Sequence, residues 1–314
     1  MKVKDIFKDE MLFVGCIVGV SFVTGKEAQT FVGNGKNIAL FAIVFALCAI
    51  VLQGFCAKWQ LHTTEQFVHF AFKKWGHVVH FLLLACFFVC MVTTLATVES
   101  SMHEVVGAIP FPLWSAIVVA LSAMVIKGGL KAFSVVSTIA FVGAFVTFVL
   151  ASLTHTVQHS ADIHPLSTLL YGLFSLTMVL PVCCKTAKKS TKQNVLCIVF
   201  ATLVVALLLW WVERVADFSL TLPIGGNLNG ANKVLLCVTI CLCSISGVVA
   251  NALPLCEGLC DVIPDKKLLT FVVLALAWAF SCFGLDILLK YGYLFVAIVG
   301  LVIVVRCLFA TKPC

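Results

Sequence analysis

The chain has 314 residues, of which 62% are hydrophobic and only 11% are charged, and its mean hydropathy is +1.13. A soluble domain of this composition would expose far too much apolar surface, so the soluble classes are excluded. The net charge of +7 comes from lysines and arginines in short loops between apolar runs, a pattern of membrane topology and not of nucleic-acid binding. The sequence predicts an all-α polytopic membrane protein.

The first apolar run, Met11 to Val23, is too short to cross a bilayer. Its 13 residues make about 20 Å of helix, whereas the hydrocarbon core is about 30 Å thick. To span the membrane, the helix must continue through the polar stretch 24–27 towards Val32. Gly19 and Gly25 lie on either side of Ser21 and let the backbone leave helical geometry at little cost.

The polar stretch itself has the pattern of a capping box. Thr24 stands at the N-cap and Glu27 three residues later, so a second half-helix is predicted to begin at Thr24, inside the membrane. Broken helices at this depth are tolerated only where they line a cavity, and secondary transporters bind substrate and coupling ion at their ends. The alternative is a continuous helix whose Gly15-x-x-x-Gly19 face packs on a neighbour.

Ten membrane segments emerge in chain order. They are Met11–Val32, Ile38–Ala57, Val78–Val98, Phe111–Ile126, Ala132–Leu153, Leu166–Cys184, Asn194–Val212, Val234–Cys256, Leu268–Leu285 and Tyr291–Phe309. With a cytoplasmic N-terminus, 16 of the 21 lysines and arginines fall in cytoplasmic loops and four fall outside. This asymmetry supports an even number of spans with both termini in the cytoplasm of a cell-membrane protein.

The spacing of the segments indicates an internal repeat. Segments six to ten begin 155 to 159 residues after segments one to five, and an odd number of helices per repeat inverts the second half. We therefore predict a first five-helix repeat at 1–160 and a second, inverted repeat at 161–314, within one membrane domain. Segment six, the counterpart of segment one, is also predicted to be broken, because Pro181 interrupts its apolar run.

Several motifs carry a resemblance to a known family. The first segment resembles the first-helix pattern G-x-x-x-G-x-G-F-A-S-G-x-E, which it matches at Gly15, Gly19, Phe22, Gly25 and Glu27. It departs from the pattern at three positions, where Ser21 replaces a glycine, Val23 an alanine and Thr24 the serine. In this pattern the chain resembles the YkvI-type amino-acid permeases, distant members of the amino acid–polyamine–organocation superfamily. Lys127–Ser134 is similar to the G-x-K-G turn of that family, and Tyr171–Ser175 to its Tyr-x-x-Phe-Asn, with Ser175 in place of Asn. The resemblance implies a LeuT-type five-plus-five fold and a transport role.

The substrate is predicted to bind between segments one and six. The free N–H groups of the half-helix at Thr24 favour an amino-acid carboxylate, while the preceding carbonyls favour a cation or an ammonium group. Glu27 either serves transport or only completes the cap and pairs with Lys26. For the residues of segment six, the alternative to lining the cavity is ordinary helix packing, with serine and threonine hydroxyls bonded to their own backbone. The predicted substrate-binding residues are Gly19, Val20, Ser21, Gly25, Glu27, Tyr171, Phe174, Ser175 and Thr177.

The coupling ion is sodium or a proton. The resemblance implies a sodium site in which hydroxyls of segment eight join carbonyls of segment one, and oxygen ligands suit a hard cation. These candidates are Ile17, Val20, Ser244 and Ser246. A proton-coupled protein needs a titrating group instead, and Glu27 and Glu99 are the nearest. Predicted to line the substrate pathway are Thr93, Thr94, Thr97 and Glu99.

The function predicted from these features is secondary active transport of an amino acid or related small zwitterion by alternating access, coupled to a cation. The alternative is a small-molecule-sensing receptor subunit on the same fold. An enzyme is excluded, since nucleotide loops, HExxH and zinc sets are missing from the sequence. The glycine-rich loop 213–232 suits an external lid in the resembled fold, although a plain flexible loop is equally allowed.

The predicted partners are a small-molecule substrate and the lipid bilayer. No nucleic acid and no obligatory protein partner is expected, and no cofactor is predicted beyond the coupling ion. The 16 cysteines lie mostly in apolar runs, where cysteine behaves as a small hydrophobe, so neither catalytic residues nor a metal centre are predicted.

Overall fold

A computed structural model describes residues 11–107, 112–154, 163–188, 191–218, 220, 222–225, 228, 230–282 and 285–309. The regular elements of these residues are helices. In chain order they are α1 (11–17), α2 (Val20–Val23), a π-helix (Ala28–Val32), α3 (Gly35–Trp59), α4 (Thr64–Phe72), a 3-10 helix (Lys73–Trp75), α5 (Gly76–Val106), α6 (Leu113–Lys127), α7 (Gly129–Thr154), α8 (Pro165–Thr186), α9 (Thr191–Val215), α10 (Ala231–Leu259), α11 (Lys266–Ser281), α12 (Leu285–Ile287), a second π-helix (Leu288–Gly292) and α13 (Tyr293–Phe309).

Seven helical stretches in the described residues are long and apolar enough to cross a membrane. They are Gly35–Trp59, Thr64–Val106, Gly129–Leu153, Pro165–Thr186, Lys192–Val215, Ala231–Leu259 and Leu288–Phe309. A shorter apolar helix, Leu113–Lys127, coincides with the fourth predicted segment. The chain is therefore a multi-pass, all-helical membrane protein. The boundary predicted between the two repeats, 160/161, lies outside the described residues.

The centre of the bundle is formed by the first segment together with α5, α8 and α10. α8 packs on α3 and α13, and α10 packs on α5, α7 and α2. By contrast, the outer helices expose large apolar side chains, among them Leu47 on α3, Val135 on α7 and Leu203 on α9. Such faces suit contact with lipid, since a membrane protein does not need to hide them from its solvent.

The first segment changes direction twice. Helix α1 ends at residue 17, and Gly19 is extended, with φ −96° and ψ −174°, before α2 begins at Val20. Thr24 and Gly25 then form a turn, in which Gly25 has φ +82°, a value that glycine adopts without strain. Beyond it the helix widens into the π-helix Ala28–Val32, and π-turns often occur at functional sites.

The prediction that segment six is broken is wrong. α8 runs without interruption from Pro165 to Thr186 and passes through Pro181. Proline removes a single backbone donor, and in a membrane the surrounding helices can hold a helix together across that gap. α13 approaches α8 closely enough that a Cβ at Gly300 would lie only 2.4 Å from the carbonyl oxygen of Leu173. α8 is thus continuous and tightly packed against the last helix.

Candidate functional site

A buried carboxylate with two tyrosine partners lies where the first segment widens. The Glu27 side chain is only 4% exposed. Tyr171 on α8 donates to one of its oxygens over 2.6 Å, and Tyr293 at the start of α13 donates to the other over 2.7 Å. The carboxylate thus joins three separate elements through charge-assisted hydrogen bonds, which are shorter and stronger than neutral ones.

Local sequence explains why Glu27 points inward. The turn at Gly25 starts the second half of the segment, and its wide π-helix is closed by side chains from neighbouring helices. Thr168 donates to the carbonyl of Phe31 over 2.7 Å, and Asn37 donates to that of Val32 over 2.7 Å. These bonds satisfy carbonyl groups at the end of the π-helix, which would otherwise be costly inside a bilayer.

Lys26 does not pair with Glu27, so that alternative from the sequence is wrong. Its ammonium group lies on the α5 side, 3.2 Å from Ser100 Oγ and 3.9 Å from a carboxylate oxygen of Glu104. Consecutive helical residues point about 100° apart, so one segment directs its cation to α5 and its carboxylate to α8 and α13. The capping box predicted from Thr24 to Glu27 is also wrong, because Thr24 is the C-cap of α2 and its N–H donates to the Val20 carbonyl, while Glu27 accepts the two tyrosine hydroxyls.

Four aromatic rings stack around the two tyrosine hydroxyls. Phe31 lies between Tyr171 and Tyr293, with ring centroids 5.7 and 5.2 Å apart and nearly parallel planes. Phe174 stacks on Tyr293 at 4.1 Å and on Tyr171 at 6.0 Å. Offset stacking of this kind is favourable beyond simple burial, so the rings form one rigid layer over the Glu27 carboxylate.

A cavity of about 420 Å³ opens above this aromatic layer. Its volume falls within the range of small-molecule sites. The residues that line it come from the π-helix, from α8 and from the second π-helix with α13, and they are Thr30, Phe31, Ser167, Leu170, Tyr171, Phe174, Leu289, Lys290, Tyr293 and Leu294. Of the predicted substrate residues, Tyr171 and Phe174 face this space.

The α9–α10 loop packs on the turn of the first segment. Ile224 is fully buried, and its N–H donates to the Thr24 carbonyl over 3.3 Å. A Cβ at Gly25 would lie 3.0 Å from the Cβ of Pro223. From the outer half of the segment, the Gln29 amide donates to the Phe218 carbonyl over 2.7 Å. In its described residues this loop is therefore bound to the first segment, a position that suits the predicted lid.

Among the remaining predicted substrate residues, Ser21 bonds across the bundle. Its hydroxyl lies 3.1 Å from that of Thr97 on α5, which links the short helix α2 to the predicted pathway. Ser175 and Thr177 are buried, and their hydroxyls donate to carbonyls one turn earlier in α8. These bonds match the packing alternative, and the Thr177 hydroxyl also lies 3.3 Å from the Val296 carbonyl of α13.

The predicted pathway residues divide into two groups. The threonines lie on the inner face of α5, where Thr93 adjoins Gly292 and Thr94 adjoins Gly247. Glu99, also on α5, has a different set of contacts, because its carboxylate binds the N-terminal end of α6. It accepts from both the N–H and the hydroxyl of Ser115 over 2.8 Å and lies 2.9 Å from His103 Nε2. A carboxylate at the N-terminus of α6 stabilises that helix, which gives Glu99 a structural role.

The predicted sodium ligands lie near one another but are bonded within the protein. Ser246 Oγ is 2.8 Å from Ser137 Oγ on α7, and Ser244 donates to the Ile240 carbonyl over 2.6 Å. The carbonyl of Ile17 accepts from Gly19, and that of Val20 accepts from Thr24. Among the described residues, no group of three His, Cys, Asp or Glu side chains could hold a metal ion.

Sequence reasoning missed Tyr293, Phe31 and Ser137. Tyr293 begins the last helix, far from Glu27 in the chain, and only its position just after a polar Lys-Tyr-Gly stretch marks it in the sequence. Phe31 follows Glu27 by four residues and so lies on the same helical face, a signal that was available. Gly15 fits the packing alternative, because a Cβ there would lie 2.6 Å from Ser137 Oγ.

No family model matches the sequence, and no curated protein matches it either. Solved structures do match. Mhp1, a nucleobase-cation-symport-1 family transporter in a closed conformation with bromovinylhydantoin bound, gives a TM-score of 0.62 at 13% identity, covering 90% of this chain and 74% of its own. MhsT in complex with L-phenylalanine gives a TM-score of 0.63 at 12% identity, and the match covers 95% of this chain and 87% of MhsT. A manganese transporter of Eremococcus coleocola gives a TM-score of 0.64 at 12% identity, and the match covers 96% of this chain and 77% of the transporter.

These neighbours are transporters of the LeuT fold, and none of the three is an enzyme. At such low identity the likeness establishes the fold of this chain. The chain is thus a multi-pass membrane protein with the LeuT fold, as the resemblance implied. Membership of the YkvI-type permeases stays a prediction.

Proposed function

We propose that this protein is a secondary active transporter that moves an amino acid or a related small zwitterion across the cell membrane by alternating access. One observation carries the proposal: the Glu27 carboxylate lies at the interrupted first segment, directly beneath an aromatic-lined cavity of about 420 Å³. A substrate with a flat apolar side chain would stack on the aromatic layer in that cavity, and Tyr171 and Tyr293 connect the cavity to the Glu27 carboxylate.

The membrane topology belongs to the proposal as well. Ten spans, arranged as two inverted repeats of five, place both termini in the cytoplasm, and the distribution of lysine and arginine supports this orientation. In this arrangement the break at Gly19 lies near the middle of the bilayer, where transporters of this fold class hold their cargo. The cavity then opens to the outside, because Lys290 at its rim lies in the π-helix at the start of the last span, which this topology places at the external face.

The coupling ion in our proposal is a proton carried by Glu27. The groups that face this carboxylate are the hydroxyls of Tyr171 and Tyr293 and, from α5, the thiol of Cys90. A buried acid inside a membrane bundle is costly to keep charged and is a functional candidate by default. Sodium held by Ile17, Val20, Ser244 and Ser246 is the alternative, and their present bonds within the protein weigh against it.

Uptake into proteoliposomes tests the proposal. The purified chain is reconstituted, and a panel of amino acids is offered under an imposed proton gradient or an imposed sodium gradient. We expect concentrative uptake of at least one amino acid under the proton gradient. Glu27→Gln should abolish this uptake while substrate counterflow without a gradient continues. Glu257→Gln, which changes an exposed carboxylate paired with Lys185, serves as the matched control.

Two outcomes would contradict the proposal. Saturable binding of a solute with no counterflow for any member of the panel would favour the sensing receptor over the transporter. Proton-driven uptake by Glu27→Gln at the wild-type rate would remove Glu27 from the coupling mechanism and leave sodium as the coupling ion to be examined.

A further inference from the structure

A second cavity, of about 580 Å³, lies where the α4–α5 connection meets the end of α13. Two aromatic residues and three cations line it, namely Phe72, Lys73, Lys74, Trp75 and Arg306. No acidic side chain is among these described lining residues, so the positive charges are not neutralised within the cavity. A space of this kind suits an anion, since three cations in close proximity repel one another unless an anion is bound.

The cavity is held in shape by its backbone. Helix α4 ends at Phe72, and Lys73 has φ +48° and ψ −114°, in the region that only glycine adopts without strain. Arg306 of α13 donates through Nε to the carbonyl of Ala71 in the last turn of α4. The guanidinium group has five N–H donors, so this bond fixes its position and leaves four of them. The strained lysine and the fixed arginine therefore face the same space.

The surroundings of the cavity are apolar and exposed. Trp75 is 60% exposed and Phe309, one turn beyond Arg306, is 73% exposed. Val78 on α5 and Val305 on α13 also present their side chains outward. Tryptophan is enriched at the membrane–water interface, and the charge count places this end of the bundle in the cytoplasm, where the leaflet carries anionic lipids. Cations beside exposed apolar side chains match a ligand with a charged head and apolar chains.

We propose that this cavity binds the phosphate headgroup of an anionic phospholipid from the cytoplasmic leaflet. Lys73, Lys74 and Arg306 contact the phosphate oxygens, and Trp75 and Phe309 contact the glycerol and the first methylene groups of the chains. The bound lipid joins the α4–α5 connection to the last helix. This site is separate from the transport cavity and does not depend on what the protein transports.

Binding of short-chain lipids to the purified full chain in neutral detergent tests the site. The ligands are dioctanoyl-phosphatidylglycerol, dioctanoyl-phosphatidylcholine and inorganic phosphate, and the readouts are native mass spectrometry and the thermal unfolding midpoint. We expect phosphatidylglycerol to remain bound and to raise the midpoint, phosphatidylcholine to do neither, and phosphate to bind far more weakly than the lipid. Each lysine near an anionic lipid contributes roughly a fivefold gain in affinity, so Lys73→Gln with Lys74→Gln should weaken binding about 30-fold.

Matched variants separate this site from general electrostatic attraction. Lys127→Gln with Lys131→Gln removes two charges from the helix ends at the α6–α7 connection, on the same membrane face, and should leave phosphatidylglycerol binding unchanged. Lys73→Gly removes one charge at a backbone conformation that glycine adopts freely, so a loss of affinity there does not come from misfolding. The proposal is overturned by equal losses in both lysine pairs, by undiminished binding to Lys73→Gly, or by inorganic phosphate binding as tightly as the lipid.

Discussion

At the residue scale, Glu27 is defined by its partners. Two hydroxyls donate to its carboxylate over 2.6 and 2.7 Å, and the rings that carry them are stacked with Phe31. Any molecule that takes over the carboxylate must also displace these hydroxyls. The same bonds therefore stabilise the present arrangement and connect occupancy of the site to movement of α8 and α13.

Removal of one hydroxyl should be measurable. Tyr293→Phe keeps the aromatic stack but leaves one oxygen of Glu27 without its donor, so we expect the free energy of unfolding to fall by on the order of 1 kcal/mol. Proton-driven uptake should also become slower, because Glu27 is then less firmly held. Denaturant unfolding and uptake assays measure the two effects. Tyr291→Phe, on an exposed neighbouring ring, is the control, and equal behaviour of the two variants would contradict the assigned role.

At the element scale, the turn at Gly25 and the loop above it depend on each other. Gly25 combines a positive φ with a distance of 3.0 Å from its prospective Cβ to that of Pro223. A larger side chain would strain the turn and push the α9–α10 loop away from the first segment. The half-helix and its lid would then lose their common geometry, while the membrane helices would still be apolar enough to insert.

Gly25→Leu is therefore expected to abolish uptake without lowering the amount of protein in the membrane. Uptake assays and quantified membrane fractions measure the two effects. Gly54→Leu, in α3 where a Cβ would meet open space, should leave both near the wild-type level. Normal uptake by Gly25→Leu would show that the half-helix does not need this turn.

The two serines of α10 provide a separate test of the coupling ion. Ser244→Ala combined with Ser246→Ala removes the hydroxyls predicted for sodium, one of which bonds Ser137. If Glu27 carries the proton, the variant keeps proton-driven uptake, and a sodium gradient drives nothing in either protein. Sodium-driven uptake by the wild type that disappears in the variant would instead assign the coupling ion to the oxygen ligands of α10 and the first segment.

At the scale of the whole molecule, the proposed inverted repeat of ten spans makes a prediction about orientation. An even number of spans requires both termini on the same side, and the positive charges assign that side to the cytoplasm. Green fluorescent protein fused to the C-terminus should fluoresce, and alkaline phosphatase fused there should be inactive. Fusions after Gly230, at the end of the α9–α10 loop, should behave in the opposite way. An active C-terminal phosphatase would refute the ten-span arrangement.

The sequence alone determined the helical membrane class, the positions of the apolar segments and the change of direction in the first one. These follow from local properties: apolar runs must lie in lipid, charges cannot, and Gly25 allows a turn that other residues resist. The likeness to LeuT-fold structures agrees with that reading. Even Glu27 was identifiable, because an acidic residue inside a membrane segment is rare enough to stand out.

Only the tertiary structure decided which groups meet. Pro181 predicted a break in α8, but the helix runs through it without interruption from Pro165 to Thr186. Glu99 was predicted to lie on the substrate pathway, and only the structure shows that it accepts two hydrogen bonds from Ser115 at the N-terminus of α6. Glu27 was predicted either to serve transport or to complete the cap and pair with Lys26, whereas its carboxylate accepts from Tyr171 and from Tyr293, which lies at the far end of the chain. Contacts of this kind depend on how helices distant in sequence pack against one another, which no local pattern of residues encodes.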